Sequence, residues 1–154
     1  MAMKSELPPV HADRRASSEE DLLEDPIRLL IADDDERTTM VLRDSLPAFG
    51  FEVIGAARNG AEAVAKAAGL HPEVVLMDLR MPDVDGMEAT VLIKAHDPQT
   101  QVVILTAFSE RESRWTAEFM GAANLLDKDV PLEELVETLR AAALVYRTAG
   151  AQAG

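Results

Sequence analysis

Ile27-Arg28-Leu29-Leu30-Ile31-Ala32-Asp33-Asp34-Asp35 joins a short, mostly apolar run to three consecutive carboxylates. A run this short, bounded by polar residues, reads as a buried strand rather than a helix. The carboxylates then mark that strand's carboxyl end. Working outward, the pattern repeats. Residues 35–46 carry helical spacing through Met40, Val41 and Leu42, and Pro47-Ala48-Phe49-Gly50 ends it. Phe51–Ala57 predicts a second strand, and Asn59 caps an alanine-rich helix ending near Gly69. Residues 73–77 predict a third strand, Pro82 and Gly86 mark a loop, and a helix follows from about Met87 to Ala95. Gln101–Thr106 predicts a fourth strand. Ser109 with Glu112 forms a capping box for a helix ending at Gly121. Asn124-Leu125-Leu126 is a short fifth strand. Val130-Pro131 opens a last helix, whose Leu132, Leu135, Val136, Leu139 and Ala143 share one face.

Strand and helix thus alternate five times. The expectation is an α/β fold, a doubly wound parallel sheet with helices on both faces. Ligands of such sheets bind beyond the carboxyl ends of the strands, where the chain order reverses. Residues 26–147 form the expected domain. Residues 1–25 are polar, with Pro8, Pro9 and an acidic stretch from Glu19 to Asp25, and predict a mobile arm. The alternative there is a short helix over residues 17–24, with Ser18 and Asp21 as a capping pair. Residues 148–154 read as a frayed tail or the start of a linker.

The 154 residues suffice for one compact domain with a sizeable core. The net charge of −13 opposes both a nucleic-acid backbone and an anionic membrane surface. There is no cysteine, which excludes disulfides and thiolate metal sites and fits a reducing compartment. No apolar run reaches the roughly 18 residues of a membrane span, and the N-terminus lacks the apolar core of a signal peptide. The expected location is the cytoplasm.

The polar residues at the strand ends carry the chemistry. Asp33, Asp34 and Asp35 follow the first strand, Asp78 the third, Thr106 ends the fourth, and Lys128 follows the fifth. Clustered carboxylates repel one another, so a cation belongs among them. Oxygen donors without histidine or cysteine select a hard ion, with Mg²⁺ favoured because it also accepts water and phosphate oxygens. Asp78 suits a carboxylate nucleophile that forms an aspartyl-phosphate. Lys128 supplies a positive charge and Thr106 a hydroxyl for the remaining phosphoryl oxygens. Asp35 reads as the cap of the first long helix rather than a ligand. Asp83 and Asp85 read as loop residues. Trp115 and Phe119 are spaced for core packing, with an exposed partner-binding patch as the alternative. His11, His71 and His96 share no metal-ligand spacing.

In this arrangement the chain resembles the response-regulator receiver family of two-component signalling, over about residues 26–146. The matching segments are residues 29–34, Met77-Asp78-Leu79-Arg80-Met81-Pro82-Asp83-Val84-Asp85-Gly86, residues 103–107 and Lys128. Together and in order they are far more specific than any one alone. The segment at 77–86 looks most like receivers of LuxR-type regulators. The resemblance implies a flavodoxin-like three-layer fold with strand order 2-1-3-4-5. It implies an acidic pair Asp33 and Asp34, with Asp34 the more direct Mg²⁺ ligand, and a metal shell completed by Asp78 and the backbone carbonyl of Arg80. Asp78 would accept a phosphoryl group from a histidine kinase or phosphotransfer protein. Thr106 would shift toward it and Lys128 would pair with it. Arg80 and Phe108 would flank the site and tune dephosphorylation.

Two positions depart from the family pattern. Leu125 stands where a tyrosine or phenylalanine is usual, and a leucine has no polar-tipped ring to swing with the threonine. Asp127 replaces an apolar residue beside Lys128. The expected function is a stand-alone receiver acting through protein contacts. It would not be an enzyme in the ordinary sense, since it assists only its own phosphorylation and dephosphorylation. Dimerisation, a downstream protein partner or an output domain of its own are compatible with this. The alternatives are a receiver from a LuxR-type DNA-binding regulator, a phosphate-independent scaffold, and a Mg²⁺-dependent phosphohydrolase. Against the last, the second residue after Asp78 is Arg80 rather than a second acid.

Overall fold

The computed structural model describes residues 18–107, 116–118 and 120–153, with side chains to residue 150. Its strands are β1 (Ile27–Ala32), β2 (Phe51–Ala57), β3 (Val74–Met77), β4 (Gln101–Thr106) and β5 (Asn124–Asp127). Among the described residues its helices include α1 (Glu19–Leu22), α2 (Glu36–Ser45), α3 (Gly60–Leu70), α4 (Gly86–His96) and α5 (Leu132–Ala153), with a 3₁₀ turn at Leu46–Phe49, and residues 116–118 are helical as well. The strands form one sheet in the order β2-β1-β3-β4-β5, as expected. Every neighbouring pair is parallel.

The apolar runs are continuous because both faces of the sheet are covered. Side chains alternate along each strand, so neighbouring residues enter different cores. On one face Leu29, Ile31, Leu76, Val103 and Leu105 pack with Leu42 and Leu46 and with Leu135 and Leu139 of α5. On the other Leu30, Ala32, Val75, Met77, Ile104 and Leu125 pack with Ala63 and Ala67 of α3 and Ala89 and Ile93 of α4. The alanines let α3 sit close to the sheet.

The helix starts follow from side-chain caps. Asp35 accepts from the Arg37 N–H at 3.0 Å and from the Thr38 hydroxyl at 2.9 Å. These bonds, the hydroxyl first, hold its carboxyl below the usual range. Asn59 accepts from the Glu62 N–H at 2.8 Å, and the Glu62 carboxylate accepts from the Arg58 N–H at 2.9 Å. Asp85, expected only as a loop residue, caps α4 by accepting from the Glu88 N–H at 2.9 Å. Asp85→Ala is expected to cost about 1 kcal/mol in urea unfolding; an unchanged midpoint would show the bond to be dispensable.

At the amino-terminal side the described residues follow the short-helix alternative over residues 17–24. Ser18 caps the single turn α1, and Leu23 packs against the α5-side core. At the other end α5 runs past Thr148 to Ala153. The Thr148 hydroxyl bonds back to the Leu144 carbonyl at 2.6 Å, and the alanines beyond it are strong helix formers. Arg147 binds both ends together, donating to the carbonyls of Leu22 at 2.8 Å, Asp25 at 3.0 Å and Pro26 at 3.0 Å. The expectations for His11, Phe108, the Ser109–Glu112 capping pair, Trp115 and Phe119 lie outside the described residues. Among the described residues, no helix is long and apolar enough to cross a membrane.

Candidate functional site

Because all five strands are parallel, their carboxyl ends share one edge of the sheet. Register does the rest. Ala32 is level with Met77, so the next residues, Asp33 and Asp78, lie side by side at the centre of that edge. Backbone bonds fix them there: the Asp33 N–H donates to the Ala57 carbonyl at 3.0 Å, and the Asp78 N–H to the Ala32 carbonyl at 2.8 Å. The chain leaves β1 toward β2 on one side and returns to β3 on the other. The acidic pair therefore stands at the topological switch point. Thr106 is level with Asp127, and the Lys128 N–H donates to the Thr106 carbonyl at 2.7 Å.

The structure brings Asp33, Asp34, Asp78 and Lys128 together. Carboxylate oxygens of the three aspartates lie within 4.8 Å of one another. Lys128 Nζ is 2.8 Å from Asp33 Oδ2 and 3.5 Å from Asp78 Oδ2. Asp33 also accepts from the Asp35 N–H at 2.8 Å, which aims its carboxyl inward. Asp33 and Asp78 are only 5% and 6% exposed, whereas Asp34 faces solvent.

One ammonium, paired with two of them, thus stands beside a cluster of three carboxylates. Burial, reinforced by the charge of Asp33, pushes the Asp78 carboxyl up to about 6 despite the opposing pull of Lys128. Burial works against the Lys128 charge too, but its bonds to Asp33 and Asp78 outweigh that and raise its pKa. The excess negative charge and the all-oxygen donor set fit a hard divalent cation of the Mg²⁺ class.

The loop after β3 completes the site. The Arg80 N–H bonds the Asp78 carboxylate and lowers its pKa, a smaller effect than burial. Met81 is buried against the α3–α4 core, and Asp83 turns the chain through the left-handed region at φ 66°. Gly86 closes the loop, its N–H donating to the Leu79 carbonyl at 2.9 Å. A Cβ at Gly86 would stand 2.3 Å from the Asp78 carbonyl oxygen, which is too close for any side chain. Thr106 ends β4 at 1% exposure, and Leu125 is equally buried in the α3–α4 core. Asp127 is half-buried at the end of β5. Sequence reasoning missed Gly60, which lies against this loop; its Asn59-Gly60 signal was legible only as a helix start.

The model of the response regulator receiver domain matches residues 29–140. The chain is 38% identical to Regulatory protein AtoC of Escherichia coli, over 70% of this chain and 23% of that protein. It is 36% identical to Response regulator protein VraR of Staphylococcus aureus, over 74% of this chain and 55% of that protein. The chain therefore spans between about a quarter and about half of these relatives' length. Among solved structures, a two-component response regulator of the LuxR family from Aurantimonas superposes with a TM-score of 0.74 at 26% identity. That match covers 77% of this chain and 85% of the other.

Proposed function

This chain belongs to the response regulator receiver domain family, and from that premise we propose that it is a phosphorylation-activated switch of a two-component system. The observation that carries the reading is the meeting of Asp33, Asp34 and Asp78 within 4.8 Å, with Lys128 beside them. The phosphoryl donor is a sensor histidine kinase or a phosphotransfer protein, and the setting is the cytoplasm.

An Asp78 carboxylate oxygen attacks the phosphorus of the donor's phosphohistidine. The P–N bond breaks, its electron pair stays on the imidazole, and the imidazole takes up a proton. Asp33, Asp34, Asp78 and the Arg80 carbonyl would hold Mg²⁺. When bound, the ion neutralises the phosphoryl oxygens and the crowded carboxylates. Lys128 exchanges one aspartate contact for a phosphoryl oxygen. Thr106 donates its hydroxyl to another, and its movement biases the loops after β4 and β5. With Leu125 buried in place of a ring, the signal passes through backbone shifts rather than an aromatic rotamer. The product is the protein's own modified state, so it acts as a switch, through a protein partner, a second copy or an output domain, and not as an enzyme with turnover.

A second reading, a receiver within a longer LuxR-type regulator, draws on the likeness to the Aurantimonas LuxR-family protein; the full reading frame separates the two. The main reading is tested by intact-mass spectrometry after incubation with Mg²⁺ and acetyl phosphate. One phosphoryl adduct is expected, mapped to Asp78 and absent in EDTA. A folded protein that binds Mg²⁺ yet forms no adduct would overturn phosphate-dependent switching and favour the scaffold.

A further inference from the structure

We propose that Gly60 is a positioning residue for the phosphoacceptor loop. Having no side chain, it lets the start of α3 seat directly on the Val84 carbonyl and so fixes residues 79–85 beside Asp78. This inference rests on the receiver reading above and deepens it.

The contact is unusually close. A Cβ at Gly60 would lie 2.0 Å from the Val84 carbonyl oxygen and 2.7 Å from both the Val84 carbonyl carbon and its Cγ1. Any L-residue at 60 must therefore displace either the helix or the loop. The helix cannot readily retreat. Its first turn is held by the Asn59 cap and by Glu62, which accepts from the Arg58 N–H, and Ala63 is fully buried beneath it. The loop is the weaker side. It is held by Met81 in the core, by Leu79 and Val84 packed against that core and by the Gly86 to Leu79 bond, but it is exposed at Pro82 and Asp83. Arg80, whose N–H holds the Asp78 carboxylate, lies within that segment. Displacing Val84 thus moves the backbone that orients the nucleophile and lines the cation site. Gly69, in the same helix, meets nothing within 4 Å and has no such role.

The test uses the full chain with Gly60→Ala, Gly69→Ala and Leu46→Ala. The last is a buried residue of the α5-side core, serving as a control for general destabilisation. Mg²⁺ affinity is measured by calorimetry where circular dichroism shows each protein folded, alongside the initial rate of adduct formation at saturating Mg²⁺. Gly60→Ala is expected to bind Mg²⁺ about 10-fold more weakly and to form adduct correspondingly more slowly. Gly69→Ala and Leu46→Ala should match the wild type on both. Should Gly60→Ala fail to fold, Val84→Gly loosens the same contact from the loop side and should weaken Mg²⁺ binding about threefold or more. Mg²⁺ affinity within about twofold of wild type in both variants, or an equal loss in Leu46→Ala, would overturn the proposal. A wild type that takes neither ion nor phosphoryl group would instead sink the receiver reading, and this inference with it.

Discussion

Arg147→Met is expected to remove about 3–5 kcal/mol of unfolding free energy, because it strands a buried carboxylate. Glu73 is 5% exposed. Arg147 meets it side-on, with Nε 2.6 Å from Oε1 and Nη2 2.9 Å from Oε2. That two-bond geometry is the strong form of the pair. The same guanidinium satisfies the carbonyls of Leu22, Asp25 and Pro26. Glu73 in turn accepts from the Arg28 N–H at 3.1 Å, where β1 begins. One side chain therefore ties α1, the entry to β1, the entry to β3 and the far part of α5. Methionine keeps the apolar bulk and deletes every donor, so the loss reports the polar latch rather than a cavity. Urea unfolding followed by circular dichroism gives the number. A loss below about 1 kcal/mol would mean that the pair behaves as an exposed one. The companion variant Glu73→Gln with Arg147→Met should recover part of the loss, since no charge is then left buried. Limited proteolysis should also cut residues 18–26 faster in Arg147→Met alone.

This latch was not legible in the sequence, and the reason is physical. A lone arginine on a helix and a glutamate at a strand start carry no periodicity, and only the tertiary fold brings them together. The strands were legible because each is an apolar run between sharp breaks: Ile27–Ala32, Phe51–Ala57 and Gln101–Thr106 fall where the pattern placed them. The acidic cluster was legible for a linked reason. A parallel sheet puts all carboxyl ends on one edge, so Asp33, Asp78 and Lys128 had to approach once the alternation was recognised. What strand order alone could not give was the pairing of Lys128 with Asp33 at 2.8 Å rather than with Asp78 first. Asp85 and Gly60 failed differently. Asp85 had a local reading as a loop residue and Gly60 had none beyond following the Asn59 cap, and the roles of both depend on the path of residues 79–85. The continuation of α5 past Thr148 was hidden by Gly150, although the alanines around it favour helix.

Asp78→Asn is expected to stabilise the metal-free protein while abolishing the phosphoryl adduct. In the fold the Asp78 carboxyl is pushed up to about 6, above its ordinary value of 3.8, by burial first and then by Asp33. The folded chain therefore holds this proton more tightly than the unfolded chain does. Ionising Asp78 costs folding free energy, and the cost is fully present above about pH 6. Below the ordinary carboxyl range both states are protonated and the cost vanishes. Asparagine keeps the shape and removes the charge, so in EDTA at pH 7.5 the variant should be more stable by about 1–3 kcal/mol. That advantage should shrink as the pH falls through 6 and disappear only below the ordinary value of 3.8. Saturating Mg²⁺ should reverse the order, because an ion that prefers the folded wild type stabilises it by mass action while the variant offers one carboxylate fewer. A variant less stable than wild type in EDTA at pH 7.5 would mean that the attraction of Lys128 outweighs burial and the repulsion of Asp33. The cluster would then be a structural ion-pair network rather than a strained site held ready for a cation and a phosphoryl group. The expected reversal would instead assign the cost of the three carboxylates to function, since the charge that weakens the empty fold is the one that performs the chemistry.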